Sequence, residues 1–180
     1  GTCQKAITRL KKFIKHSLLK YNPLALKDQL TAELTHNILP FWMNRMKDNL
    51  HGGFYGQIRG DGQLVPGADK GGILNARILW TFSSAYRTFK NPDYLATATS
   101  ARDYIFTHFF DPDFQGTFWS VDYLGNTQDA KKQIYSQAFF IYALAEYYQA
   151  TGDTQSLDAA KALFLLIEKY SFDPVSNGYF

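Results

Sequence analysis

The sequence predicts an all-α fold: helix pairs set side by side as a closing double ring, with short β-hairpins collected on one rim. Three observations predict it. Apolar residues recur at helical spacing in six segments. Turn signals such as Asn22-Pro23, Asn91-Pro92 and Thr151-Gly152 cut those segments apart. A repeat of about 62 residues runs through the chain: Gly53, Gly116 and Gly178, each followed by aromatic residues, lie 63 and 62 positions apart. Phe110-Asp111-Pro112 returns as Phe172-Asp173-Pro174, and Leu95 as Leu157. Each unit reads helix, helix, Gly-aromatic hairpin. Two helices cannot each bury an apolar stripe alone, so such units stack. Solenoid repeats are usually shorter. A loop repeated at the same helix ends gathers on one rim around one cavity, which favours the ring over an open solenoid.

The elements follow in order. Ile7, Leu10, Ile14 and Leu18 predict a helix over 4–20 that is basic on its other faces. A second helix runs over 24–47 through Leu30, Leu34, Ile38 and Phe41-Trp42, and Pro40 should kink it or end its first part. Gly60-Asp61-Gly62 turns a small hairpin within 51–64. Helices are expected over 71–89, 93–109, 130–150 and 154–170, and a second hairpin over 114–129, turning at Gly125-Asn126. Residues 1–22 form a basic leader helix in this reading, and residues 23–180 about three repeat units of a ring domain.

Composition narrows the function. Lys plus Arg is 19 and Asp plus Glu 16 in 180 residues, a net charge of +3. Six basic groups and no acid fall in residues 1–20, so the rest of the chain carries 13 − 16 = −3. A mildly acidic body argues against nucleic acid as partner. No apolar run reaches the roughly 18 residues of a spanning helix, so no stable membrane insertion is expected, and the chain is read as cytoplasmic. One cysteine, Cys3, excludes an internal disulfide framework. Aromatics are in excess, with 15 Phe, 12 Tyr and 3 Trp; they suit a large core or a site that stacks on ring-shaped ligands.

No phosphate loop, zinc motif or nucleophile elbow is present. His16, His36, His51 and His108 are scattered without metal-ligand spacing, so no metal and no cofactor is expected. Arg77 stands out inside the apolar segment Ile73-Leu-Asn-Ala-Arg-Ile-Leu-Trp80. A guanidinium there needs either an acidic partner on a neighbouring helix or a wet cavity, where it could hold an anionic oxygen. Asn75 and Trp80 support the same place. Tyr135 sits near the start of a later helix, as core or site residue. Tyr55 and Trp119 lie on the two hairpins, either stacking on sugar or packing on helix ends. Lys131-Lys132 reads as a solvated helix start, and Arg59-Gly60-Asp61 as a turn.

At these residues the chain resembles the N-acylglucosamine 2-epimerase family, and within it the cellobiose 2-epimerases. The resemblance is carried by Ala68-Asp-Lys-Gly-Gly-Ile-Leu-Asn-Ala-Arg-Ile-Leu-Trp80 and its continuation to Tyr86, and by Leu34-Thr-His-Asn-Ile-Leu-Pro-Phe-Trp42. His51-Gly-Gly-Phe-Tyr-Gly56, Phe118-Trp-Ser-Val-Asp-Tyr123, Lys132-Gln-Ile-Tyr-Ser-Gln-Ala-Phe139 and Tyr170-Ser-Phe-Asp-Pro174 continue it, over about residues 28–180. It implies an (α/α)6 barrel as catalytic domain, of which residues 23–180 are the N-terminal half, about three of six helix pairs. It implies cofactor-independent epimerisation at C2 of the reducing-end sugar of a β-1,4-linked disaccharide, by ring opening and an enediolate. In that implied mechanism Arg77 stabilises the oxyanion and Tyr135 lies in the site, with Asn75, Trp80, Trp119 and Tyr55 toward the substrate. Two acid/base histidines are implied beyond Phe180, and none of the four present matches them, so the 180-residue chain alone is expected to be inactive. The implied partner is an oligosaccharide, and the full-length protein is expected to be a monomer.

Other readings stay open from the residues. Within the family, mannobiose and N-acylglucosamine are alternative substrates. A glycoside hydrolase or lyase on the same barrel would need a carboxylate pair, and Asp69, Asp122 and Asp129 show no such pairing. A non-catalytic helical repeat that binds protein would present an extended concave surface.

Overall fold

The computed structural model describes residues 23–180; the helix expected over 4–20, Cys3 and His16 lie outside them. The described chain divides into two compact units, one ending at Arg45 and the other running from Met46 to Phe180. In the first, α1 (Pro23–Glu33) runs into two π-helical turns, Leu34–Ile38 and Phe41–Arg45. Pro40 neither ends nor breaks this helix: its missing N–H takes one donor from the ladder, and the ladder widens on both sides of it. The Phe41 ring meets Trp42 edge-on at 5.6 Å, and the Arg45 guanidinium lies over Phe41.

The second unit holds the repeat. β1 (Lys70–Gly71) leads into α2 (Gly72–Phe89), which turns through left-handed Lys90 into α3 (Pro92–His108). Asn91 caps α3 by accepting the Asp93 N–H at 2.9 Å, and Pro92 sits at the first helical position, where no donor is lost. β2 (Ser120–Val121) and β3 (Thr127–Asp129) follow, then α4 (Ile134–Thr151) and α5 (Thr154–Ser171), joined at Gly152. β4 (Phe172–Asp173) and β5 (Gly178–Tyr179) close the chain. The helix predicted over 130–150 begins four residues later than expected. Thr127–Asp129 is a strand within the expected hairpin, and the Asp129 carboxylate then accepts the Lys131 N–H and holds a turn where the helix was expected to start.

α2 packs on α3 and on α4, and α4 packs on α5. The chain is thus mostly helical, with α2 and α4 as adjacent partners and α3 and α5 each behind one of them. Leu79, Phe82, Ile105, Phe109, Phe140 and Leu144 are fully buried between them. Ala76, Ala98, Ala101 and Ala143 are also fully buried, and their small side chains let the helices approach closely. Arg87 pairs with Glu146 at 2.7 Å and Arg102 with Asp153 at 3.0 Å, tying successive units on the outside.

The rim shows the repeat most plainly. The same antiparallel contact forms three times: Lys47 with Phe54, Phe110 with Thr117, and Phe172 with Tyr179. The hairpin around Gly60 closes through Ile58 and Leu64. The second hairpin is larger than predicted, because β1 joins it to make a three-stranded antiparallel sheet in the order β1-β2-β3, with Lys70 opposite Val121. Phe114 falls outside that sheet, exposed in the preceding turn.

Candidate functional site

The start of α2 is fixed first. The Gly72 N–H donates to the Trp119 carbonyl at 2.8 Å, and a Cβ at Gly72 would stand 3.0 Å from the Phe140 ring and 3.1 Å from the Phe118 carbonyl. The glycine therefore lets hairpin, α2 and α4 meet at one point. Asn75 is buried next to this joint. Its amide donates to the Gly71 carbonyl at 2.9 Å, and its Oδ1 has no hydrogen-bond partner. Asn75 thus acts within the helix start rather than at a surface.

Two residues on, Arg77 is exposed and makes no hydrogen bond or ion pair with any described residue. The structural alternative from sequence, an acid on a neighbouring helix, is not met among the described residues. Trp80 lies one turn further on the same helix face. Its ring stacks on Tyr142 of α4 at 4.9 Å and 13°. Tyr135, Phe139 and Tyr142 follow one another at i, i+4 and i+7 on α4, in edge contacts of 5.0 Å and 6.4 Å. Tyr135 is 63% exposed and Tyr142 47%. With Ala138 they line an open hollow of about 400 Å³. An exposed guanidinium can hold an anionic oxygen, and open ring faces can stack on the C–H face of a sugar.

Of the residues picked from sequence, Trp80 and Tyr135 thus border one surface, with Arg77 on the Trp80 face. Phe139 and Tyr142 complete that surface and were missed; their helical spacing from Tyr135 was the available signal. Trp119 stands apart at the α2 joint, half-buried, with the Lys131 ammonium 4.6 Å over its ring. Tyr55 is half-buried on the first hairpin, its N–H bonded to the Met46 carbonyl at 2.8 Å, and makes no ring contact with the aromatic row.

A second cluster, absent from the sequence reading, lies under the rim. Lys70 and Asp48 are fully buried and paired at 2.8 Å. The Lys70 ammonium also donates to the Gly52 carbonyl at 2.7 Å and lies over the Tyr104 ring at 5.2 Å. The other Asp48 oxygen accepts the N–H groups of Leu50 and His51, each at 3.0 Å. Burial alone would raise the Asp48 pKa, but the Lys70 bond and these N–H groups outweigh it and hold the carboxyl below the usual range. Burial first, then the charges of Asp48 and Asp122, push the Tyr104 hydroxyl up to about 12. One repeat later, Lys132 pairs with Asp111 at 2.5 Å, whose Oδ1 accepts from Asp113 and Phe114. Lys132 is therefore not a merely solvated helix start, since its half-buried ammonium is held by a carboxylate. Lys131 fits that description better, exposed and ion-paired with the half-exposed Asp129. Among the described residues no three His, Cys, Asp or Glu side chains gather as a metal ion would need, and no helix is long and apolar enough to cross a membrane.

Residues 53–179 match the model of the family described as N-acylglucosamine 2-epimerase (GlcNAc 2-epimerase). The chain is 51% identical over 154 residues to a cellobiose 2-epimerase of Bacteroides fragilis, covering 86% of this chain and 39% of that protein. It is 46% identical over 147 residues to a cellobiose 2-epimerase of Eubacterium cellulosolvens, covering 82% and 36%. Among solved structures it is similar to the cellobiose 2-epimerase of Bacillus thermoamylovorans B4167, with a TM-score of 0.84 at 42% identity, over 86% of this chain and 40% of that one. The chain spans about two fifths of the length of the relatives it matches.

Proposed function

Because the chain belongs to the N-acylglucosamine 2-epimerase family, we propose that the whole protein epimerises the reducing-end glucose of cellobiose at C2, without a cofactor, to give glucosyl-mannose. The observation that carries this reading is Arg77: an exposed guanidinium without an acid partner among the described residues, one helical turn before Trp80, whose ring stacks on Tyr142 of the open aromatic row. The nearness of the family's cellobiose enzymes in sequence supports the substrate.

Opening the sugar ring exposes an aldehyde at C1 and makes the C2 proton removable. The resulting cis-enediolate carries negative charge on O1 and O2. Arg77 donates to that charge with N–H groups no acid engages, so no ion pair must break first. The Tyr135 hydroxyl is a second donor at the edge of the hollow. Trp80, backed by Tyr142, offers the ring face on which the sugar lies, and Asn75 holds the helix start beneath. Trp119 and Tyr55 serve the remoter sugar from the rim. Returning the proton to the opposite face of C2 needs a pair of acid/base groups flanking it. His51 and His108 are engaged in the rim cluster, which supports assigning that role to other histidines of the whole protein, as the family resemblance implies. The same reading makes the domain a complete (α/α)6 barrel of which residues 23–180 are the N-terminal half. It takes the protein as a cytoplasmic monomer and residues 1–22 as a basic leader.

The test is Arg77→Ala in the whole protein, assayed on cellobiose. Turnover should fall about 10²–10³-fold, as for loss of an oxyanion donor. Stability should change by no more than about 0.5 kcal/mol, since the side chain is exposed and unbonded. Unchanged turnover would refute the oxyanion role.

A further inference from the structure

The two rim clusters are copies of one another, and they differ in what covers them. Over the first lies the turn Asp122–Asn126. The His108 Nδ1–H donates to the Gly125 carbonyl at 3.0 Å, and any side chain at Gly125 would collide with that imidazole. The Tyr123 ring meets His51 edge-on at 5.3 Å. The covered residues are thus His51, Lys70, Tyr104 and His108. Counting 62 or 63 positions onward gives Phe114, Lys132, Leu166 and Tyr170. These four line one groove of about 310 Å³, together with Ile134 and Gln137. Nothing in the described chain fills it, and Tyr170 is 68% exposed.

We propose that this groove is the seat of a glycine-turn hairpin from a further repeat of the same polypeptide, and that Asp173 is the carboxylate that receives that repeat's lysine. Asp173 already stands where Asp48 and Asp111 stand. All three follow the first residue of the repeated antiparallel contact. Asp173 Oδ1 accepts the Val175 N–H at 2.9 Å, as Asp48 accepts from Leu50 and Asp111 from Asp113. Unlike them, it has no lysine or arginine partner among the described residues. The groove is also more apolar than its covered copy, with Leu166 for Tyr104, Phe114 for His51 and Tyr170 for His108. The incoming turn therefore seats apolar side chains around its glycine and supplies a single cation, to Asp173. This inference involves neither Arg77 nor any sugar, so it stands or falls apart from the proposed activity.

The whole protein carries the test. With Cys3→Ser, Tyr170→Cys reports the groove through its rate of maleimide labelling, read by the mass of the modified segment. It should label at least about tenfold more slowly than Val175→Cys, whose position is 92% exposed, because the hairpin must open first. Asp173→Asn should bring the two rates together while the helical circular dichroism stays unchanged. Equal rates at 170 and 175 in the parent overturn the seat. Slowing at 170 that survives Asp173→Asn overturns the role of Asp173. Slow labelling that disappears when a dimer is diluted to monomer puts a second copy of the chain in the groove and overturns the proposal.

Discussion

Lys70 and Lys132 hold the same position in successive repeats and make the same bond to the same kind of turn, but they live in different media. Lys70 and Asp48 are both 0% exposed, whereas Lys132 is 26% exposed and Asp111 6%. The difference comes from the turn Asp122–Asn126, which covers the first cluster and has no counterpart over the second among the described residues. Removing one partner of a dry ion pair leaves a charge that neither water nor protein solvates, whereas a wet pair falls back on solvent. The comparison teaches that the cover, more than the pairing, decides how much of the fold depends on each lysine.

Three substitutions probe that contrast. Lys70→Met should cost the most, about 3–5 kcal/mol, because it strands a buried carboxylate. Urea unfolding measures it, and a loss no larger than that of Lys132→Met would erase the distinction. Gly125→Ala comes next, at about 2 kcal/mol. It attacks the cover rather than the pair: φ is +97° there, and the methyl group meets His108. A new fast-exchanging His51 N–H in the variant would show that the turn is what keeps the cluster dry.

The smallest effect is read through pH. The Lys132 bond first, then the Phe114 N–H, hold the Asp111 carboxyl below its usual range. A depressed folded pKa means the unfolded chain binds the proton more readily. The stabilisation is therefore complete above the ordinary carboxylate pKa of about 4 and is lost as pH falls through the folded value. Lys132→Met should remove about 1 kcal/mol at pH 7 and flatten the acid side of the stability profile. An acid slope identical to that of the parent would show that Asp111 draws nothing from Lys132.

Much of the fold was legible because it is local. Helical periodicity and the breaks at Asn91-Pro92 and Gly152 placed α2, α3 and α5 within a residue or two of their observed ends. The 62-residue repeat was legible as well, and the structure extends it to the first copy, where the sequence signal was weakest. The hairpin expected over 114–129 does contain the strand Thr127–Asp129, but the helix expected from 130 starts only at Ile134, because the Asp129 carboxylate accepts the Lys131 N–H and holds the intervening residues in a turn. Of the site, Arg77 could be picked out as a cation in an apolar helix, and Tyr135 by position. Phe139 and Tyr142 looked like core, since a run of rings on an apolar helix reads the same whether its face is covered or open.

By itself, then, the sequence determined the periodic things: helix pairs, their repeat length, the rim turns and the family motif around Arg77. Each depends on neighbours within a turn or a hairpin. Tertiary structure alone decided which charges are buried. Asp48 and Lys70 are 22 residues apart and look like ordinary surface charges on the chain. Only the folding of Tyr104, His108 and the Gly125 turn around them removes the water. Whether a charge is solvated depends on everything that surrounds it in space, and no local pattern in the chain records that.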